Sequence, residues 1–287
     1  MKGRVCLVTG ATSGHGRAVA AGLARLGAEV IVHGRSPERC REVQEEIAPI
    51  AGRRPEAIVC DLASAADIDR AASDLLSTGR PLHVLVNNAG AVNRTRTVTR
   101  DGIETTLAVN YLAHFQLTMR LLGRMRESAP SRIVNVCSDM HRTVALDLDD
   151  LELRSGYGFM RAYGISKLAL VHFTVELARR LEGTGVTVNA LDPGPVDSNI
   201  GQNNPGLARH LLRVVMRIFF PSPERAARTA IHLASAPDLE SVTGRYFKRM
   251  AQRSPSLSPD PLAGRRLWKE SVRMTGTDMQ PGLPLVY

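Results

Sequence analysis

The chain has 287 residues, of which 44% are hydrophobic and 23% charged, with a formal net charge of +9. That length and a mean hydropathy of −0.10 suit one α/β domain with a full core, and no apolar run approaches the ~20 residues of a bilayer span. A pI near 9.9 raises nucleic acid or a membrane surface as partners. The charge is spread, however, and aromatics are only 4%. Nucleic-acid binding is therefore set aside, and an affinity for phosphate-bearing ligands is enough to account for the charge.

Cys6, Cys60 and Cys137 lie in or at the end of apolar strand-like runs. With Cys40 they show neither metal-ligand spacing nor a disulfide pattern, so reduced core cysteines and no metal site are expected. Met1-Lys2-Gly3-Arg4 leads into an apolar strand without a signal-peptide pattern, which fits a cytoplasmic chain.

Short β-rich runs alternate with helical stretches, the pattern of a parallel sheet wrapped by helices. Val5–Thr9 reads as the first strand and His15–Leu26 as its helix. Glu29–His33 is the second strand, and Pro37–Ile50 a helix with proline in its first turn. Ala57–Asp61 and Leu82–Asn87 are strands either side of a helix at Ala65–Leu76. Gly102–Arg126 reads as one long helix, Arg132–Cys137 as a strand, and Asp147–Glu152 as an acidic insertion. A second long helix at Ala162–Glu182 precedes a strand at Val186–Leu191. Pro193–Pro221 is irregular, Glu224–Ala234 helical, Gly244–Phe247 a short last strand, and Pro261–Met274 a helix in a Ser/Pro-rich tail. The expected fold is a Rossmann-like, doubly wound parallel sheet in a single domain over 1–287, with a lid region at 193–222 and a C-terminal extension at 248–287.

Thr9-Gly10-Ala11-Thr12-Ser13-Gly14-His15-Gly16 joins the first strand to the first helix. Glycines there let the backbone turn tightly and approach a pyrophosphate seated on helix N–H groups, although the spacing differs from G-x-G-x-x-G and a purely structural turn is the alternative. The second strand ends in His33-Gly34-Arg35-Ser36 with no acid for the ribose hydroxyls. Arg35 is therefore expected to clamp a 2′-phosphate, which favours NADP(H) over NAD(H); the plainer reading is a solvated surface arginine. Asp61-Leu62 and Asn87-Asn88-Ala89-Gly90 close two further strands, where a ligand crevice is expected.

Tyr163 and Lys167 stand four apart on one helix face. At an effective dielectric of ~20, an ammonium about 4 Å from a phenol favours the phenolate by up to roughly 4 kcal/mol. That corresponds to about two to three pKa units below the usual value near 10. Such a pair also arises by chance on many helices, so the remaining residues decide its meaning.

In order along the chain stand Thr9-Gly10-x-x-x-Gly14-x-Gly16, Asp61, Asn87-Asn88-Ala89-Gly90, Asn110, Ser138, Tyr163-x-x-x-Lys167 and Pro193-Gly194. Over roughly residues 3–247 the chain thereby resembles the short-chain dehydrogenase/reductase superfamily. Asp101-Gly102-Ile103-Glu104, Val109–Phe115, the insertion between Ser138 and Tyr163, Leu177–Leu181 and Arg266–Ser271 resemble the retinol-dehydrogenase-like branch. Members of that branch often carry an N-terminal membrane anchor; none is seen here, so membrane contact is not required.

The resemblance implies hydride transfer between nicotinamide and a carbonyl or alcohol carbon. It implies Tyr163 as proton donor or acceptor, and Lys167 lowering the phenol pKa and holding a nicotinamide-ribose hydroxyl. Ser138 would hydrogen-bond the substrate oxygen, and Asn110 would serve a water relay toward Lys167. The cofactor-binding set it implies is Gly10, Ser13, Gly14, His15, Gly16, Arg35, Asp61, Leu62, Asn88, Ala89, Gly90, Tyr163, Lys167, Pro193, Gly194, Val196 and Ser198. Three positions depart from the family pattern: Cys137 beside Ser138 is expected to be buried and inert. His15 replaces an aliphatic residue, and it either meets the pyrophosphate or is a tolerated substitution. Asp139 is a candidate contact for a polar substrate group. His114 and His141 are read as structural.

Gly201–Gly206 looks like a hinge, and Leu207–Phe220 mixes apolar residues with Arg209, Arg213 and Arg217. That segment suits a lid over a lipophilic substrate, a membrane contact, or plain core packing. The favoured reading is an NADPH-linked oxidoreductase for a lipophilic ketone, aldehyde or alcohol. The alternatives are a dinucleotide-binding sensor or scaffold without turnover, and a peripheral membrane protein. By resemblance a homodimer or homotetramer built on the two long helices is expected.

Overall fold

A computed structural model describes residues 1–194, 222–254 and 260–279. Its sheet has eight strands in the order β3-β2-β1-β4-β5-β6-β7-β8. These are β1 Val5–Val8, β2 Glu29–Gly34, β3 Glu56–Val59, β4 Val84–Asn87, β5 Ser131–Val136, β6 Val186–Asp192, β7 Tyr246–Lys248 and β8 Ala251–Arg253. The first seven run parallel, and β8 pairs antiparallel with β7. The order reverses between β1 and β4, so their C-terminal ends open a crevice.

Side chains alternate across this sheet. Val5 and Leu7 of β1 face one core, and Cys6 and Val8 face the other. The first core is roofed by α3 (Ala65–Ser77), α5 (Ala113–Glu127), α6 (Phe159–Arg180) and α8 (Pro261–Thr275). The second lies under α1 (Gly14–Arg25), α2 (Pro37–Ala51) and α7 (Pro223–Ser235). Among the described residues no helix is long and apolar enough to cross a membrane. All four cysteines are buried and free, and burial pushes the Cys6, Cys60 and Cys137 thiols up to about 12.

Three elements differ from the sequence expectation. The long helix expected at Gly102–Arg126 begins as a single turn, α4 (Thr105–Leu107), capped by the Glu104 carboxylate accepting from the N–H groups of Thr106 (2.8 Å) and Leu107 (2.7 Å). It then widens to a π-helical stretch at Ala108–Leu112 before α5. β8 was not anticipated, because the turn into it uses Arg249 (φ 51°) and Met250 (φ 62°) in the left-handed region, where Gly or Asn is the usual signal. The third strand ends at Val59, which leaves Asp61-Leu62 in the loop beyond it.

The C-terminal extension is anchored by Trp268, the sole tryptophan. It is 3% exposed, with ring centroids 5.1 Å from Phe115 and 6.0 Å from Phe173, and the Arg180 guanidinium 4.1 Å from its own ring centroid. Tyr111 Oη lies 2.6 Å from Ser271 Oγ. Helix α8 thus occupies part of the α5–α6 face on which subunit contacts were expected. Trp268→Ala is expected to destabilise the fold by about 3–5 kcal/mol, read as a lower denaturant midpoint. A loss under about 1 kcal/mol would show that α8 is not held by this ring.

Candidate active site

The glycine turn is fastened to β4 from both sides. Thr9 Oγ1 accepts from the N–H groups of Asn88 (2.8 Å) and Ala89 (3.0 Å), while Asn88 Nδ2 donates to Thr9 O (2.8 Å) and Gly10 O (3.3 Å). Gly10 has φ 63°, and a Cβ there would lie 2.8 Å from Ala89 Cα. At Gly16 a Cβ would lie 2.3 Å from both Asn88 Nδ2 and Gly10 O. Both positions admit only glycine.

Helix α1 opens with Ser13 at its N-cap, Gly14 following at φ 49°, no side-chain cap bond and no acid in its first turn. Its leading N–H groups and the Ser13 hydroxyl are left to meet an anion, which fits a dinucleotide pyrophosphate. His15 points inward. Nδ1 lies 2.7 Å from Asn88 Oδ1, and Nε2 is buried toward the Ala226 backbone without completing a hydrogen bond. Burial holds its pKa below the ordinary value.

His33 is a residue of this turn that the sequence did not reveal. Its Nδ1 accepts from Gly10 N–H (3.1 Å) and its Nε2 donates to Cys60 O (3.2 Å). Burial lowers its pKa to about 4, so it stays neutral in that tautomer. A histidine inside an otherwise apolar strand was the available signal. Arg35 follows at the end of β2, exposed, with no ion pair among the described residues. Asp61 Oδ1 accepts from Ala63 N–H (3.0 Å), Leu62 is buried, and Gly90 is exposed at the crevice.

The four candidate catalytic side chains converge beyond the ends of β4 and β5. Lys167 is 3% exposed, yet its Nζ has one hydrogen bond among the described residues, to Val136 O at 2.8 Å. It sits 5.6 Å from the Tyr163 ring centroid, and a Cβ on Gly90 would be 3.9 Å from it. An ammonium has three protons to donate. Burial lowers its pKa to about 8.

The expected depression of the Tyr163 phenol by Lys167 is not what the geometry gives. Burial pushes the phenol up to about 12, and a hydrogen bond with Ser138 opposes this without reversing it. Desolvation outweighs the neighbouring charge, so Tyr163 is a protonated acid at neutral pH.

Ser138 caps a 3₁₀ turn at Asp139–Thr143, its Oγ accepting from Met140 N–H at 3.3 Å. That turn presses on α6 at Gly164, where a Cβ would lie 2.8 Å from Val144 Cγ1 and 3.1 Å from Met140 O. Gly164, inside the Tyr-x-x-x-Lys stretch, is what lets the serine turn seat beside Tyr163.

Asn110 lies fully buried in the π-helical stretch. Its Oδ1 accepts from Ala91 N–H (2.7 Å), and its Nδ2 donates to Ala91 O (3.0 Å) and Ser166 Oγ (3.1 Å). Its main-chain carbonyl accepts from His114 Nδ1 (3.1 Å), whose Nε2 lies 3.3 Å from Thr9 Oγ1. Burial and the Lys167 charge lower the His114 pKa to about 3, so the ring is a neutral brace.

Asp139 is not free to meet a substrate. Lys248 Nζ donates to its Oδ2, and Tyr246 Oη (3.1 Å) and Arg142 Nε (3.2 Å) donate to its Oδ1. Pro193 and Gly194 follow β6, with Gly194 N–H donating to Asp192 Oδ1 at 3.0 Å. Val196, Ser198, the hinge and the Leu207–Phe220 segment lie outside the described residues.

Residues 4–206 match the short chain dehydrogenase family. Retinol dehydrogenase 14 of Mus musculus is 42% identical, over 96% of this chain and 87% of its own. Polyprenol dehydrogenase of Mus musculus is also 42% identical, over 96% of this chain and 84% of its own. Among solved structures, the Pseudomonas aeruginosa RhlG/NADP active-site complex matches with a TM-score of 0.69 and 29% identity, covering 86% of this chain and 95% of that one. With the sheet order, the glycine turn and the Ser138–Tyr163–Lys167 cluster in place, these matches establish that the chain belongs to the short-chain dehydrogenase/reductase family, in its retinol-dehydrogenase-like branch, as an oxidoreductase working between alcohol and carbonyl.

Proposed function

We propose that the chain is an NADP(H)-dependent oxidoreductase for a lipophilic ketone, aldehyde or alcohol. The observation that carries this is Lys167. A buried ammonium with one acceptor among the described residues has donors to spare, and sugar hydroxyls at the mouth of the crevice would complete its shell. The dinucleotide would lie across Gly10, Ser13, Gly14 and Gly16, with its nicotinamide end near Asn88, Ala89, Gly90, Pro193 and Gly194. When bound it supplies the hydride.

The protein's share is proton delivery and orientation. Tyr163, protonated at neutral pH, donates to the substrate oxygen in reduction, and Ser138 steadies that oxygen as charge develops. Asn110, tied to Ala91 and Ser166, fixes the backbone between the crevice and α6. Selectivity for NADP(H) rests on Arg35, an exposed guanidinium without an ion pair among the described residues, at a strand end lacking an acid. The similar structure in complex with NADP supports the same choice. A lipophilic substrate is supported by the names of the relatives, since retinol and polyprenol are apolar alcohols.

Tyr163→Phe is expected to lower kcat for NADPH-linked carbonyl reduction on the order of 10²–10⁴-fold. Wild-type turnover in that variant would remove the proton-donor role. Arg35→Ala is expected to raise the KM for NADPH about 10–100-fold, the loss of a charge-assisted contact, with little change for NADH. Equal changes for the two cofactors would contradict the 2′-phosphate clamp.

A further inference from the structure

The strand ends beside Ser138 carry a charge cluster that the roles above leave unused. Lys248 ends β7 and stands opposite Asp192 in the β6–β7 ladder. Its Nζ is 3.0 Å from Asp192 Oδ2 and also pairs with Asp139 Oδ2. Asp139 directly follows Ser138, and Tyr246 and Arg142 hold its other oxygen. Arg142 Nη2 in turn donates to Ser254 O at 3.0 Å, just beyond β8. Asp192 is 4% exposed, and its other oxygen accepts from Gly194 N–H. One ammonium therefore joins the turn after β5, which carries Ser138, to the turn after β6, which carries Pro193-Gly194. The family match ends at residue 206, before this lysine.

We propose that Lys248 is a positioning residue for hydride transfer, fixing the Ser138 turn against the Pro193–Gly194 turn. The inference rests on the oxidoreductase reading above. In that reading Ser138 steadies the substrate oxygen and Pro193-Gly194 borders the nicotinamide, so the distance between the reacting carbons depends on how these two turns are spaced. They lie on adjacent strands but are far apart in sequence. Without the ammonium the bridge between the two turns is gone and the buried Asp192 carboxylate loses this cation, while Asp139 keeps Arg142, so the turns are free to move apart. A displacement of about 1 Å is enough to cost on the order of 10²-fold in rate.

The test is steady-state kinetics with NADPH, on a carbonyl substrate that wild type reduces, for Lys248→Met and Lys248→Arg, with thermal melts alongside. Lys248→Met is expected to lower kcat on the order of 10²-fold while the KM for NADPH moves less than about threefold. Its primary isotope effect with deuterated NADPH should rise, and Lys248→Arg should recover most of the rate. If Lys248→Met fails to fold, Lys248→Met/Asp192→Asn removes the stranded buried carboxylate while leaving the two turns unbridged, and it should show the same kcat loss. Unchanged kcat, a loss residing only in KM, or an arginine variant no better than methionine would overturn the inference. A wild-type enzyme inactive across a broad carbonyl panel would instead overturn the oxidoreductase reading on which it rests. An active wild type with an unaffected Lys248→Met overturns the positioning role alone.

Discussion

A lysine ammonium buried with a single hydrogen bond among the described residues is the constraint around which this site is built. Burial of an ion is costly unless its donors are satisfied, and Val136 O supplies one acceptor for Lys167. The surroundings are fixed by backbone geometry. Gly90 leaves the space beside Nζ open, and α6 brings the Tyr163 ring alongside. A site with a cation that has one acceptor among the described residues and a phenol that keeps its proton is arranged for a ligand rich in hydroxyls and for an electrophile needing a proton. Both features follow from desolvation, which lowers the lysine pKa and raises the tyrosine pKa in the same place.

Around that pair, small residues and buried polar links set distances. The switch in strand order between β1 and β4 opens the crevice, and Thr9 and Asn88 lock its two sides together. Deeper in the sheet, Asn87 Nδ2 donates to Asn135 Oδ1 (2.8 Å) and Thr118 Oγ1 (3.1 Å), and Asn135 Nδ2 donates to Thr174 Oγ1 (2.9 Å). This polar ladder pins α5 and α6 to adjacent strands. Helix α6, which bears Tyr163 and Lys167, and α5, which continues the π-helical stretch holding Asn110, therefore cannot slide independently of β4 and β5, and preorganisation begins below the site itself.

Much of this is legible in the sequence, for identifiable reasons. The strands β1 to β6 alternate with amphipathic helices, and Gly10, Gly14 and Gly16 mark a turn whose φ values and close contacts demand glycine. Ser138, Tyr163 and Lys167 are recognisable because their order and spacing are a chemical requirement. What escaped depends on tertiary contact. Gly164 reads as an ordinary helix glycine until the 3₁₀ turn is seen pressed against it. His33 reads as a strand residue, although it braces Gly10. The π-helical widening at Asn110 has no periodicity signature. The Lys248 clamp joins positions 139, 192 and 248, which no local pattern relates. The Tyr163 shift runs opposite to the sequence expectation because pairwise charge is visible in a sequence and desolvation is not.

The state of Lys167 can be measured through its proton. Calorimetric titration with NADPH at pH 8, in buffers of differing ionisation enthalpy, reports the protons taken up on binding. Hydroxyl acceptors and phosphate charge should return the ammonium toward its ordinary pKa, so uptake of up to about half a proton is expected at pH 8, and it should vanish in Lys167→Arg. Binding without proton uptake at that pH, or the same uptake in Lys167→Arg, would contradict the buried, under-satisfied ammonium as the centre of this site.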